Sequence, residues 1–172
     1  MTDVASRRAG PKREDKPSAR ASQAAGPAHR AAWSALASAH AAVVCALERA
    51  FAGASLPPLG WYEVLQALAR APEGSLRPRE LVEHVNLSKS GLTRLLDRLE
   101  QAGLVERRRC PKDRRGYHVL LTAEGRRIYQ RMRPLHDRTV REHLGAALDE
   151  QQASELAALL RKLAAGQRER AA

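Results

Sequence analysis

The sequence predicts a mainly α-helical fold with one small β-hairpin. Alanine and leucine, which favour helices, dominate its apolar content. Apolar residues recur every three or four positions in several segments, which is the spacing of an amphipathic helix. Residues 104–122 instead form two extended runs around a loop that contains Pro, Gly and Asp. With 172 residues, the chain is long enough for one domain or at most two.

The positive charge of the chain is concentrated in one internal block. The chain has 30 Lys and Arg against 19 Asp and Glu, a formal net charge of +11. Residues 77–133 hold fifteen basic and seven acidic side chains, a net charge of +8, while residues 1–30 contribute +4. A basic surface attracts polyanions, and we expect nucleic acid rather than an anionic membrane as the partner.

The sequence argues against several other classes of protein. No stretch approaches 18 uncharged apolar residues, and no apolar segment follows the basic residues near the N-terminus. We therefore expect neither a transmembrane helix nor a secretory signal, and we predict a cytoplasmic protein. Cys45 and Cys110 cannot form a disulfide framework. Because there is no glycine-rich phosphate loop, nucleophile elbow or dense set of metal ligands, we predict no enzymatic activity, no cofactor and no metal.

The N-terminal half predicts a tail followed by two helices. Residues 1–28 lack apolar periodicity and predict a disordered basic tail, which is either a solvated extension or an added source of attraction to phosphates. A long amphipathic helix is predicted over residues 28–53, and we expect its apolar stripe to face the core. That stripe consists of Trp33, Leu36, Ala37, His40, Val43, Val44, Leu47 and Phe51. A second helix is predicted over residues 60–70, and residues 72–74 predict a turn.

Residues 77–103 predict two short helices joined by a tight turn. Pro78 suits the first turn of a helix, and Asn86-Leu87-Ser88 breaks the pattern and supplies a cap for a second helix that ends at Gly103. The apolar side of this second helix holds Leu92, Leu95, Leu96 and Leu99, and its other faces hold Lys89, Ser90, Thr93, Arg94, Asp97 and Arg98. We expect one side to pack on the core and the other to be presented to a partner.

A β-hairpin and two further helices complete the predicted fold. Extended runs at 104–110 and 117–122 flank a loop whose tip holds Lys112, Arg114 and Arg115. A helix is predicted from Thr122 to about Gly145, with a kink at Pro134. A last helix is predicted to begin at Asp149, with Leu156, Leu159, Leu160 and Leu163 along it.

The order of these elements indicates binding to double-stranded DNA. A short helix, a tight turn and a second helix with one polar face form the helix-turn-helix plan, in which the second helix enters the major groove. The hairpin that follows makes the plan a winged helix-turn-helix. Arg and Lys on the helix can donate to the acceptors of guanine, and arginines in a protruding loop suit the negative potential of a narrow minor groove.

At these residues the sequence resembles the MarR family of winged helix-turn-helix transcription regulators. The resemblance depends on Asn86-Leu87-Ser88-Lys89-Ser90-Gly91-Leu92-Thr93-Arg94-Leu95-Leu96-Asp97-Arg98-Leu99-Glu100, on Gly103-Leu104-Val105, on Asp113-Arg114-Arg115 and on Leu121-Thr122-Ala123-Glu124-Gly125. In element order it covers about residues 30–165. It implies a homodimer joined by its first and last helices that binds a palindromic operator and is often released by a small anionic or aromatic ligand; we expect a repressor.

The resemblance divides the chain into four parts. Residues 1–28 are the basic tail, 29–55 a dimerisation helix, 56–122 the winged helix-turn-helix DNA-binding domain, and 123–166 the C-terminal dimerisation helices.

The resemblance also assigns the residues that bind DNA. The recognition-helix positions that meet DNA are matched by Ser88, Lys89, Ser90, Thr93, Arg94 and Arg98. Arg115 matches the wing-tip arginine placed in the minor groove, and Asp113 matches the acidic partner that holds that arginine. We expect Lys112 and Arg114 to meet the DNA backbone. Residues 107–109 are arginines along the hairpin, where alternation sends some side chains toward DNA and others toward protein.

Several alternatives stay open for individual residues. Arg94 and Arg98 can simply pair with Asp97, Glu100 or Asp113 on a solvated helix face. A ligand pocket between the dimer helices and the DNA-binding lobe is predicted to involve Trp33, His40, Trp61 and Tyr62, although core and dimer packing is the favoured role for any single one of them. Zinc binding by His136 and His143 is a weaker alternative than a structural role, because no paired Cys or compact His/Glu cluster accompanies them.

Two alternatives concern the function of the whole chain. We expect Cys45 to be a small buried hydrophobe, but Cys110 stands next to three arginines, whose positive charge would lower the pKa of its thiol. A cysteine-based redox-sensing regulator is therefore one alternative. A non-specific architectural or adaptor protein, which uses basic charge for any polyanion, is the other.

Overall fold

The computed structural model describes residues 26–85, 87–110 and 113–171, without the side chains of residues 110, 113–115 and 167–171. The predicted tail at 1–28 lies outside this part of the chain except for its last three residues. The described elements are helices α1 (Pro27–Gly53), α2 (Leu59–Arg70), α3 (Pro78–His84), α4 (Lys89–Gln101), α5 (Ala123–Val140) and α6 (Glu150–Ala171), and strands β1 (Ser75–Leu76), β2 (Val105–Cys110) and β3 (Asp113–Leu121). A mainly α fold with a small antiparallel sheet is thus confirmed.

Contacts divide the chain into two units, residues 1–37 and residues 38–172. The described part of the first unit is the beginning of α1, where Trp33 is 70% exposed. The second unit contains the rest of α1 and all the other elements. Its core is built from α2, the apolar sides of α3 and α4, and residues of the sheet and of α5.

Aromatic rings join α1, α2 and α5 inside the second unit. The ring of Tyr62 lies 5.8 Å from that of Phe51, 5.7 Å from that of Tyr129 and 4.4 Å from the imidazole of His136, measured between centroids. Burial raises the pKa of Tyr62 to about 12, and its hydroxyl accepts a hydrogen bond from the Gln66 side chain. Tyr62 therefore packs as a core residue.

The predicted apolar stripe of α1 is only partly buried. Leu47 and Phe51 are buried and Val44 packs against the core, but Trp33 is not, so the expectation that the whole stripe faces the core was wrong. Cys45, predicted to be buried, is exposed. The reason is helical geometry, because Cys45 is two residues, or about 200°, from the buried Leu47.

α1 also has the length and composition of a helix that can cross a membrane, with a mean hydropathy of 1.3. The segment differs from the uninterrupted apolar stretch expected of a transmembrane helix, because Ser34, Ser38 and His40 interrupt it without adding charge. Length and composition alone are weak evidence for a membrane helix, since the buried core helix of a soluble protein and a signal sequence share them.

Local capping fixes the helix-turn-helix as the sequence predicts. The Ser88 hydroxyl accepts a hydrogen bond from the backbone N–H of Gly91, so Ser88 caps α4. Gly103 adopts φ 70°, and the N–H of Leu104 donates to the carbonyl of Leu99 across the end of the helix. Of the predicted apolar side, Leu92, Leu96 and Leu99 are buried, so α4 directs this side into the core.

The sheet differs from the predicted hairpin in two respects. Its strand order is β1-β3-β2, and β1 pairs Ser75 with Leu120 and Leu76 with Val119, a strand the sequence did not predict. β3 begins at Asp113 and pairs that residue with Cys110, although residues 111–116 were all predicted to be loop. Inter-strand hydrogen bonding therefore extends the hairpin past the Gly and Arg residues that suggested a loop.

The C-terminal helices depart from the prediction at the end of α5, which lies at Val140 and not near Gly145. α5 accommodates Pro134 inside the helix, and a π-helical turn follows at Arg141–Gly145. Asp149, predicted as the first residue of the last helix, precedes α6 and accepts a hydrogen bond from the N–H of Gln152. Four leucines of α6 are exposed; they are Leu156, Leu159, Leu160 and Leu163.

Candidate nucleic-acid interface

The face of α4 that lies opposite the core is polar and exposed. The predicted DNA-binding residues of this helix are all exposed; these are Ser88, Lys89, Ser90, Thr93, Arg94 and Arg98. Residues 90, 94 and 98 follow one another at single-turn spacing and so share one side of the helix. Three hydroxyls also have local partners: Ser88 caps the helix, Ser90 lies 3.2 Å from the Ser88 hydroxyl, and Thr93 donates to the carbonyl of Lys89 at 3.0 Å.

The acidic residues of α4 are held by an arginine of the hairpin. A guanidinium nitrogen of Arg107 in β2 lies 2.6 Å from the carboxylate of Asp97, and another lies 3.4 Å from that of Glu100. The backbone N–H of Arg107 donates to Glu100 at 3.1 Å, and its guanidinium lies 5.4 Å from the centre of the Tyr117 ring. Although partial burial opposes it, the Asp97 hydrogen bond and the ring and carboxylate contacts raise the pKa of Arg107.

The ion pairs of Arg107 leave the arginines of α4 without acidic partners on their own helix. In the part of the chain that the structure describes, neither Arg94 nor Arg98 forms an ion pair, and Asp97 and Glu100 are both engaged by Arg107. Arg94 and Arg98 therefore do not pair with Asp97 or Glu100, which was the simple alternative for these two arginines. α4 presents two arginines whose charge is not neutralised by its own acids.

The sequence did not predict which way the Arg107 side chain points. Its ion pairs with Asp97 and Glu100 were therefore not predicted. Alternation along β2 shows that Arg107 and Arg109 share a face, but it does not say which face meets protein. A usable signal was present in α4, where Asp97 and Glu100 are three residues apart and so lie on one side of the helix. Arg108, the next residue of β2, pairs instead with Glu106 at 2.6 Å and is two-thirds exposed.

The hairpin brings the predicted wing residues to its far end. Asp113 starts β3 opposite Cys110, and residues 114 and 115 continue the strand. The side chains of Asp113, Arg114 and Arg115, and the whole of Lys112, lie outside the described residues, as does the side chain of Cys110. Their roles as DNA contacts, as the acidic partner of an arginine and as a redox centre thus stay predictions.

The Leu-Thr-x-x-Gly segment fixes the base of the hairpin to α5. The Thr122 hydroxyl lies 2.8 Å from the carbonyl oxygen of Gly103 and 3.0 Å from that of Leu104, and it accepts a hydrogen bond from the N–H of Gly125. It therefore caps α5 while holding the end of α4. Gly125 is buried against Leu104, since a Cβ at this position would lie 2.0 Å from the Leu104 carbonyl oxygen.

The residues predicted to line a ligand pocket lie in different environments. Trp33 and His40 are exposed, Trp61 packs partly buried against the core, and Tyr62 is buried. The two cavities that we describe are lined by other residues. One, of about 390 Å³, includes Glu63, Arg70 and His84, and the other, of about 700 Å³, lies between α2 and α5. The predicted pocket stays a prediction.

Titratable residues near this predicted pocket do not form a metal site. Burial raises the pKa of Glu63 above its ordinary value, and His40 and His136 act in the opposite direction. His143, one of the predicted alternatives for zinc, lies 3.0 Å through Nδ1 from the carbonyl oxygen of Thr139. Within the described ranges, no three His, Cys, Asp or Glu side chains are grouped so as to hold a metal ion.

Sequence comparison relates this chain to known regulators. A profile described as the MarR family matches residues 54–116. The chain is 36% identical over 90 residues to the HTH-type transcriptional repressor YetL of Bacillus subtilis, covering 52% of this chain and 53% of YetL. The alignment thus spans about half the length of that relative.

The fold is similar to those of two DNA complexes. Sco3205, a MarR family transcriptional regulator from Streptomyces coelicolor solved in complex with DNA, has a TM-score of 0.78 and 28% identity, with 86% of this chain and 92% of that chain covered. A mutant MarR from E. coli complexed with operator DNA has a TM-score of 0.68 and 26% identity, covering 76% and 91%. Together with the capped helix-turn-helix and its hairpin, these matches place residues 54–116 in the MarR family of winged-helix transcriptional regulators.

Proposed function

We propose that this chain is a homodimeric repressor that binds a palindromic operator in double-stranded DNA and is released by a small anionic or aromatic ligand in the cytoplasm. One observation carries the proposal of DNA binding. Arg107 engages both Asp97 and Glu100, so that α4 presents Arg94 and Arg98 without a neutralising acid on the same helix. The DNA complexes of Sco3205 and of the E. coli MarR mutant support the same conclusion by similarity.

The chemistry of the α4 face fits the major groove of DNA. Arginine can donate two hydrogen bonds to the O6 and N7 acceptors of guanine, and the exposed lysine and hydroxyls can donate to phosphates. The hairpin next to α4 is the element suited to the adjacent minor groove, with Arg115 inserted and Asp113 orienting it. Lys112 and Arg114 would then contact the DNA backbone.

Exposed apolar surface supports the homodimer. Leu156, Leu159, Leu160 and Leu163 recur at helical spacing along α6, and contiguous apolar surface of this kind marks an association site. We assign dimerisation to residues 29–55 and 123–166, and DNA binding to residues 56–122. In a symmetric dimer, two recognition helices would meet half-sites about one turn of DNA, roughly 34 Å, apart.

Release by a ligand would act on that separation. A ligand bound among Trp33, His40, Trp61 and Tyr62 would change the distance between the two recognition helices. A change of a few ångströms would prevent the two helices from docking on DNA at the same time. This mechanism requires the ligand to prefer the dimer that does not fit DNA, since equal affinity for both states shifts nothing.

Replacing the wing arginine tests the proposal directly. We expect Arg115→Ala to weaken operator binding by about 2 kcal/mol per half-site, or about thirtyfold, through the loss of a minor-groove contact. The operator would be located by footprinting on the promoter of the protein's own gene, and affinity measured by gel-shift titration.

Arg127→Ala is the matched control, because it removes one positive charge from an exposed residue of α5 that pairs with Glu124. The dimer should persist in both variants when examined by sedimentation. Unchanged operator affinity in Arg115→Ala would contradict the wing assignment.

Arg107→Gln tests the arrangement that carries the proposal. We expect operator affinity to fall about tenfold, because Asp97 and Glu100 would regain uncompensated charge beside the DNA phosphates. Arg108→Gln removes the same charge from the adjacent position of β2 without touching α4. Fluorescence anisotropy with labelled operator should show the larger loss for Arg107→Gln, and equal losses would mean that only net charge matters.

Competition by random DNA separates this function from an architectural role. Binding to the operator should survive an excess of random duplex and give dyad-symmetric protection in a footprint. If random DNA removes the protein completely and binding falls uniformly with salt, the non-specific alternative is correct.

A further inference from the structure

A basic groove lies between α2 and α5, away from the exposed face of α4. It has a volume of about 700 Å³ and is lined by residues of both helices and of the π-helical turn. Four of these residues are arginines, namely Arg70, Arg126, Arg133 and Arg141, and Asp137 is the acid among the lining residues. The groove thus has a net charge of +3 from its lining side chains.

Some arginines of α5 have an acidic partner and others do not. Outside the groove, Arg127 pairs with Glu124 at 2.8 Å and Arg138 lies 3.9 Å from Glu142. Inside it, Arg133 approaches Asp137 at 3.5 Å. Among the described residues, no acid forms an ion pair with Arg70, Arg126 or Arg141, and these three all line the groove.

The spacing of these arginines suits a ligand with more than one anionic group. Arg126 and Arg133 are seven residues apart and Arg133 and Arg141 eight, so their Cα atoms are separated along the helix by about two turns, or roughly 10–12 Å. Arg70 approaches from α2. Arg70 and Arg133 thus line the groove from different helices, Arg70 from α2 and Arg133 from α5.

We propose that the groove between α2 and α5 binds a small molecule that carries two or more phosphate groups, held by Arg70, Arg126, Arg133 and Arg141. Guanidinium groups match phosphate oxygens with two parallel hydrogen bonds, and four positive charges gathered in a concave surface with one acid are stabilised by a polyvalent anion. Ala69, Tyr129 and Pro134 provide an apolar floor between the arginines. This site does not depend on the proposed operator binding, because it is defined without α4 or the hairpin.

Binding would be measured by isothermal titration calorimetry at fixed ionic strength in 150 mM NaCl. Three probes are used: inorganic phosphate, pyrophosphate and fructose 1,6-bisphosphate, whose two phosphates are well separated. We expect the bisphosphate to bind at least about tenfold more tightly than inorganic phosphate, because its second phosphate adds charge-assisted contacts with the arginines. Equal, millimolar-or-weaker binding of all three probes would overturn the proposal.

Paired variants distinguish the groove from general electrostatic attraction. Arg126→Gln/Arg141→Gln removes two unpaired arginines of the groove, and Arg131→Gln/Arg138→Gln removes two exposed arginines of the same helix outside it. We expect the first pair to weaken bisphosphate binding about tenfold or more and the second to change it less than twofold. Circular dichroism melting confirms that both variants fold, and equal weakening by both pairs would overturn the proposal.

DNA is the other source of phosphates, and a second titration addresses it. A duplex without the operator is titrated against the same two variants. If the groove variant loses affinity for this duplex more than the control does, and the parent chain does not bind the bisphosphate, the groove is a DNA-backbone contact and the small-molecule proposal is wrong. Retained duplex binding together with lost bisphosphate binding supports it.

Discussion

Leu159→Glu/Leu163→Glu should convert the protein into a monomer and reduce operator affinity by two orders of magnitude or more. The leucines are 65% and 51% exposed and lie one turn apart on α6. In a symmetric interface each substitution appears twice, so four carboxylates would have to be desolvated near one another. In a dimer, binding of one half-site raises the effective concentration of the second recognition helix at the other half-site. A monomer loses this effect, which increases affinity by a factor on the order of 10²–10⁴.

Ser154→Glu/Ala165→Glu is the matched control for this experiment. Both positions are exposed on α6 and lie on the opposite side of the helix from the two leucines, so the same charges are added away from the apolar side. Sedimentation equilibrium would give the oligomeric state, and operator titration the affinity. A leucine double variant that stays dimeric would show that α6 does not hold the dimer through this face.

Gly125→Ala should strongly destabilise the fold. A Cβ at this position would lie 2.0 Å from the carbonyl oxygen of Leu104 and 2.8 Å from a methyl carbon of Leu121. The first contact is with backbone and cannot be relieved by rotating a side chain, so α5 would have to move away from the end of α4. We expect a loss of about 3 kcal/mol in the free energy of unfolding and a fall of about 10 °C in Tm.

Gly53→Ala is the control for the glycine substitution. Gly53 is exposed at the end of α1, and a Cβ there would have no atom within 4 Å. Thermal unfolding at one fixed protein concentration should leave this variant within about 2 °C of the parent, because surface substitutions away from special features change stability little. If Gly125→Ala melts with the parent, α5 does not pack against Leu104 as described.

The elements that sequence predicted well are those fixed by nearby residues. For α4, the apolar spacing, the cap at Ser88 and the left-handed Gly103 are all local, and the structure confirms each of them. The exposed polar side of this helix follows from the same periodicity. The Leu-Thr-x-x-Gly segment was recognised as a pattern, although its packing role was not.

The features that sequence missed depend on residues far apart in the chain. β1 has two residues and exists because it pairs with Leu120 and Val119, more than forty positions away. The beginning of β3 at Asp113 follows from its register with β2, which loop-forming residues alone did not indicate. Trp33 is exposed because an apolar stripe shows that a helix has a buried side without showing how far along the helix the core extends, whereas Cys45 lies within the buried length of α1 but on its outer side.

The sequence by itself determined the class of fold and the helix-turn-helix with its hairpin, since periodicity, caps and the basic block are properties of neighbouring residues. Only the tertiary structure decided which charges are available for binding. It turned Arg107 toward Asp97 and Glu100, left Arg94 and Arg98 without an ion pair among the described residues, and gathered Arg70 with the arginines of α5 in one groove. The physical reason is that an ion pair depends on distances of a few ångströms between elements, and these distances are set by packing.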